Sequence, residues 1–148
     1  MEERFKTFTV LIASISRSIR KLKTEEMAEF DLKSPHVSCL YYLYKTESLT
    51  AKELCDICEE DKANISRSIK YLEMREYLFC NSKAPKRYQS RLELTEKGRE
   101  VGRVLADKID NILARASCGL TEEDRLTMYR SLALINDNLQ KLCEKNED

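Results

Sequence analysis

Apolar residues from Phe5 to Leu22 recur at positions 5, 8, 12, 15, 19 and 22, steps of three and four that hold them on one stripe of a helix. Little else before Asp31 could bury that stripe, so a second subunit is its natural partner. Ser34-Pro35 marks the next start: serine is expected to accept from free first-turn amides, and proline at the first helical position forgoes no useful donor. Val37, Leu40, Tyr41 and Tyr44 then fall on one side of the helix, with Tyr42 off the stripe. Thr50 with Glu53 makes a capping box for a short helix whose apolar residues are Leu54, Ile57 and Cys58. After the acidic turn Glu59-Glu60, Asp61 is placed to cap a third helix. Ile65, Ile69 and Leu72 form its inward face, leaving Lys62, Asn64, Ser66, Arg67 and Lys70 outward.

Tyr77-Leu78-Phe79-Cys80 reads as a strand, and Arg91-Leu92-Glu93-Leu94 as its returning partner. The stretch between them, 81 to 90, is too long for a tight hairpin turn and carries Pro85, Lys83, Lys86 and Arg87; it predicts a projecting wing. Thr95 caps a long helix with Val101, Leu105, Ile109, Ile112 and Ala116 at helical spacing, which Gly119 ends. Thr121 to Asp124 then opens a last helix carrying Leu126, Leu132, Ile135, Leu139 and Leu142. A short helix, a tight turn, a second helix and a hairpin, in that order, make a winged helix-turn-helix, a DNA-reading module. The expected fold is mostly α with a small β-hairpin (α+β), a single domain over residues 1–148. Its DNA-binding part spans 32–95, and helical dimerisation parts span 1–31 and 96–148.

Composition agrees with long, solvated helices: of 148 residues, 35% are charged, 42% are apolar and only three are glycine. The 26 basic and 26 acidic side chains cancel, so total charge says nothing for a nucleic-acid partner. Distribution does. Between Lys62 and Arg91 stand eight basic residues against two acidic ones, a local surplus that phosphate contact requires. A solvated charged face is the plainer reading of the same window. The apolar run Val10 to Ala13 is too short for a signal peptide or a membrane span, so no membrane association and a cytoplasmic location are expected.

Six cysteines in such a compartment should be thiols. Cys55-x-x-Cys58 lacks the second ligand pair that zinc needs, and His36 is the sole histidine; no metal or cofactor is expected, and both cysteines read as core residues. Cys80, beside the wing, is the candidate for redox control. No nucleophile, base and orienting group stand together, so the chain is not read as an enzyme. A winged helix that binds protein instead of DNA stays open, and salt-sensitive binding to random duplex would discriminate.

Leu49-Thr50-x-x-Glu53-Leu54, Ile65-Ser66-Arg67, Leu92-x-Leu94-Thr95-x-x-Gly98 and Leu120-Thr121-Glu122-Glu123, taken in this order, resemble the multiple antibiotic resistance regulators, the MarR family. The resemblance covers nearly the whole chain. It implies a homodimer with interleaved terminal helices, presenting two winged heads to double-stranded DNA. It also implies a repressor of a palindromic operator, released by a small phenolic or lipophilic ligand or by thiol oxidation. On that model DNA is held by Thr50, Lys62, Asn64, Ser66, Arg67, Lys70, Lys83, Lys86 and Arg87. An effector pocket between head and dimerisation helices would draw on Phe30, His36, Tyr41 and Tyr44. The wing departs from the family: the positions of its Asp-x-Arg hold Lys86 and Tyr88, leaving Arg87 as the candidate for the minor groove. Cys80 and Glu76 also stand where the family usually has arginine and glycine.

Overall fold

In the computed structural model, which describes residues 2–58, 60–81, 86 and 89–145, the N-terminal stripe lies on one unbroken helix. Helix α1 (Glu2–Phe5) passes through a π-helical stretch, Lys6–Leu11, into α2 (Ile12–Glu26). The wide turns have a local cause. Thr7 and Thr9 hydroxyls donate to the carbonyls of Glu3 and Phe5, in competition with the ordinary backbone ladder, and the Ile12 amide reaches back five residues to Thr7. Phe5, Phe8, Ile12, Ile15, Ile19 and Leu22 are all exposed in the single chain.

Helix α3 spans Ser34–Thr46 and begins differently from the sequence expectation. Lys33, not Ser34, holds the cap position: its amide donates to His36 Nδ1 at 3.1 Å, while the Ser34 amide donates to Thr24 Oγ1 at 3.1 Å. The histidine ring, three residues after the cap, thus accepts from the cap residue's own amide, and the expected bond from a first-turn amide to the serine is replaced by the Ser34 amide's bond to Thr24. Strand β1 (Ser48–Thr50) follows, then α4 (Ala51–Cys58) and α5 (Lys62–Met74). Strands β2 (Leu78–Asn81) and β3 (Arg91–Leu94) form the expected hairpin, with Leu78 opposite Leu94 and Cys80 opposite Leu92.

The sheet has a third strand that the sequence did not announce. Its order is β1-β3-β2, antiparallel throughout, with Leu49 opposite Leu92. Three residues carry too little alternation to stand out in a sequence. The core beneath it joins Val37, Leu40 and Leu43 of α3 to Leu54, Ile65 and Leu72 of the next two helices, all essentially inaccessible. Thr95 caps α6 (Glu96–Ala116): its hydroxyl accepts from the Gly98 amide at 3.0 Å and donates to the Glu76 carbonyl at 2.6 Å.

The chain divides into two compact units, Met1–Asp110 and Asn111–Asp148. In the second, Gly119 takes a left-handed φ of 92° after α6 ends, and Thr121 with Asp124 forms the expected capping box of α7 (Glu122–Glu144). No residue of α7 is buried. Among the described residues, no helix is long and apolar enough to cross a membrane.

Candidate nucleic-acid interface

Two reciprocal hydrogen bonds start α4. The Thr50 amide donates to Glu53 Oε2 at 2.7 Å and the Glu53 amide donates to Thr50 Oγ1 at 3.2 Å, which holds the Glu53 carboxyl below its ordinary range. Thr50 Oγ1 is thus the acceptor of the helix cap. Asp61 starts α5 by accepting from the Asn64 amide at 2.7 Å, and burial of Ile65, Ser68, Ile69 and Leu72 turns the opposite face outward. That face exposes Lys62, Ser66, Arg67 and Lys70. Three of these, Lys62, Ser66 and Lys70, border a cleft of about 740 Å³ between α4, α5 and β3. Its floor is apolar, from Ala51, Ile65, Ile69 and Leu92, and Lys52 of α4 completes the basic rim. Lys52 escaped the sequence reading because only the packing of α4 against α5 brings it to the same edge.

Asn64 is half-buried and less free than its outward position suggested. Its Nδ2 donates to Glu60 Oε2 at 2.8 Å, and its Oδ1 lies 3.5 Å from Arg67 NH2. Other cations of the basic window are also engaged. Arg91 Nε and NH2 donate to Ser48 Oγ and O at 2.8 and 2.9 Å, and its NH1 lies 3.7 Å from Glu53. Arg75 lies 3.5 Å from Asp31. These two arginines clasp elements together, and the exposed basic groups that border the cleft are Lys52, Lys62 and Lys70.

Of the wing cations, Lys86 is exposed, and its carbonyl accepts from the Gln89 amide at 3.0 Å. Lys83 and Arg87 lie outside the described residues, as does Glu59. Glu76, where the resemblance expected glycine, adopts a left-handed φ of 59°.

A model of the winged helix DNA-binding domain matches residues 36–113, just over half of the chain. The chain belongs to the winged-helix DNA-binding family. This winged-helix protein is 23% identical over 130 residues to YybA of Bacillus subtilis (strain 168), an uncharacterized HTH-type transcriptional regulator, a match that covers 88% of this chain and 87% of YybA. Its fold is that of the MarR regulators. NMB1585 of Neisseria meningitidis, a MarR family regulator, superposes with a TM-score of 0.83 at 17% identity, covering 97% of this chain and 98% of NMB1585. MepR of S. aureus, solved as a DNA complex, gives 0.78 at 19% identity over 89% of this chain and 97% of MepR. These are regulators and not enzymes.

The aromatic candidates for an effector pocket fall in different places of the winged-helix protein. His36 stacks on Tyr71 of α5, with ring centroids 4.2 Å apart and planes 8° from parallel. Phe30 lies nearby, its carbonyl 3.5 Å from Arg75 NH2. Burial and the neighbouring Lys33 charge hold His36 below its ordinary pKa. Tyr41 meets Tyr42 edge-on, with the Lys45 ammonium 5.5 Å from its ring. Tyr44 instead lines a cleft of about 400 Å³ with Leu43, Glu47, Ser48, Glu93, Leu94 and Arg99.

Cys55, Cys58 and Cys80 are half-buried and pack against the core of this winged-helix protein, while Cys39 is fully buried. Hydrogen bonding between the Cys39 and Cys58 thiols, first, and burial push Cys39 up, and the same contact holds Cys58 down against its burial. Among the described residues, no group of three or more His, Cys, Asp or Glu side chains is arranged to hold a metal ion.

Proposed function

We propose that this winged-helix transcriptional regulator represses transcription by binding a palindromic operator as a cytoplasmic homodimer, with α5 in the major groove. The observation that carries the reading is the outward face of α5. Arg67 and Ser66 project between Lys62 and Lys70, which gives base-reading groups flanked by phosphate-holding charges. Residues 32–95 serve as the DNA-binding part. Residues 1–31 and 96–148 serve dimerisation, which the exposed Phe5, Ile15, Leu132 and Leu139 favour, since helices this apolar need a partner. A two-fold dimer then requires half-sites roughly 34 Å apart. Thr50, Lys83, Lys86 and Arg87 complete the DNA contacts. A small phenolic or lipophilic effector releases the operator from a pocket drawing on Phe30, His36, Tyr41 or Tyr44.

Selection of bound sequences from a random duplex library tests the reading, because it returns the operator, its symmetry and the half-site spacing together. Symmetric sites with half-sites one helical turn apart are the expected result. Arg67→Ala should weaken binding to the selected site and relax its sequence preference, costing about 1–3 kcal/mol of discrimination. Lys86→Ala should lower affinity for all duplexes alike and reduce the salt slope by about one. Anisotropy titrations across a salt series read both. Absence of binding to any duplex at low salt would favour a winged helix that binds protein.

A further inference from the structure

The turn ahead of α5 holds a carboxylate where a DNA-facing surface has most reason to avoid one. Glu60 immediately precedes the helix cap Asp61, and its side chain is only 13% exposed. Its two oxygens have separate tasks. Oε2 accepts from Asn64 Nδ2 at 2.8 Å, while Oε1 lies 3.4 Å from Arg20 NH2 on α2. Asn64 turns its other amide atom, Oδ1, toward Arg67 NH2 at 3.5 Å. A carboxylate only accepts and a guanidinium only donates, so a single orientation of the Asn64 amide satisfies both neighbours. With its backbone amide on Asp61, Asn64 is held at both ends.

We propose that Glu60 is a specificity-determining positioning residue, which fixes the Asn64 amide and through it the presentation of Arg67 to a base edge. The proposal rests on α5 being the base-reading helix. An amide free to flip presents either a donor or an acceptor and tolerates more than one base; a fixed one presents a single pattern. Arg67, steadied by Asn64 Oδ1, keeps donors for the two acceptors of a guanine edge, so the base pair it reads is G·C. A carboxylate beside phosphates costs affinity, and Arg20 offsets that charge from the side facing α2. Glu60 thus exchanges some general affinity for discrimination. The sequence hid this role, because Glu59-Glu60 reads as an acidic turn that only dilutes the basic window.

The test uses full-length protein and two duplexes of equal length and composition, one selected by the wild type from a random library and one scrambled. Anisotropy gives the ratio of the two affinities at fixed salt. Glu60→Ala should bind the scrambled duplex more tightly, having lost a negative charge, while the ratio falls about ten-fold. Glu60→Gln removes the same charge but keeps an oxygen that accepts from Asn64, so it should bind scrambled duplex more tightly and retain most of the ratio. The double variant Glu60→Ala with Asn64→Ala should discriminate no worse than Asn64→Ala alone. Equal ratios for wild type, Glu60→Ala and Glu60→Gln would make Glu60 a charge only, and equal losses in Ala and Gln would remove the hydrogen bond from the account; either overturns the proposal. A wild type without sequence preference would overturn the reading of α5 itself, and this proposal with it. Circular dichroism of each variant separates loss of fold from loss of discrimination, and Asn64→Ala tests the same link from the other side.

Discussion

Gly98 sits where no side chain fits. A β-carbon there would stand 1.8 Å from the Tyr77 carbonyl oxygen, at the junction that sets the start of β2 and the end of β3 against the first turn of α6. Backbone on both sides leaves no flexible atom to yield. Gly98→Ala should therefore destabilise the protein by about 2–3 kcal/mol or more, measured as a lowered urea midpoint. Glu76 presents the opposite case. It carries a left-handed φ that costs a residue with a β-carbon roughly 1–2 kcal/mol, less the chain entropy that glycine adds to the unfolded state. Glu76→Gly should gain roughly 0.5–1 kcal/mol by the same assay, and a loss of stability would show that its carboxylate matters more than its backbone. Gly98 was visible in the sequence as part of a motif, whereas its reason, a carbonyl pressed against it, needed the fold.

His36 joins two elements, α3 and α5. As a neutral ring it accepts the Lys33 amide through Nδ1 and stacks on Tyr71, so it fixes the start of α3 against α5. Its folded pKa lies below the ordinary value near 6.5, so protonation is disfavoured in the folded state. The corresponding stability is complete above pH 6.5 and is lost as pH falls toward the folded value. Thermal midpoints should drop below pH 6.5 in the wild type, and that part of the slope should vanish in His36→Phe, which keeps the stack without titrating. The long helices, the caps at Thr50, Asp61, Thr95 and Thr121, and the β2–β3 hairpin were all legible in the sequence, because each rests on local chemistry or a long periodicity. What was not legible depends on partners far along the chain: strand β1, the Arg91–Ser48 clasp 43 residues apart, and the Arg20–Glu60 pair 40 apart. The same limit split the proposed interface. Lys62, Ser66, Arg67 and Lys70 emerged on one face as their spacing implied, but Asn64 was found tied to Glu60, and Lys52 joined the rim unannounced.

For the whole molecule, exposed apolar side chains concentrate at the two ends of the sequence, on the N-terminal helix and on α7. On the dimer reading they are the protein's largest unburied resource. Leu132→Glu with Leu139→Glu should shift sedimentation from dimer to monomer and make operator binding steeply dependent on protein concentration; an unchanged dimer would exclude α7 from the interface. β3 lies between β1 and β2. A wing hairpin pairing only with itself could open without disturbing the rest of the head. Here the wing's second strand is also hydrogen-bonded to residues that lead into α4, and Arg91 fastens the same edge. Peeling the wing away therefore breaks both ladders at once. In deuterium exchange the amides of Leu92 to Leu94 should exchange with the helices beneath them, as one cooperative unit, and slowly.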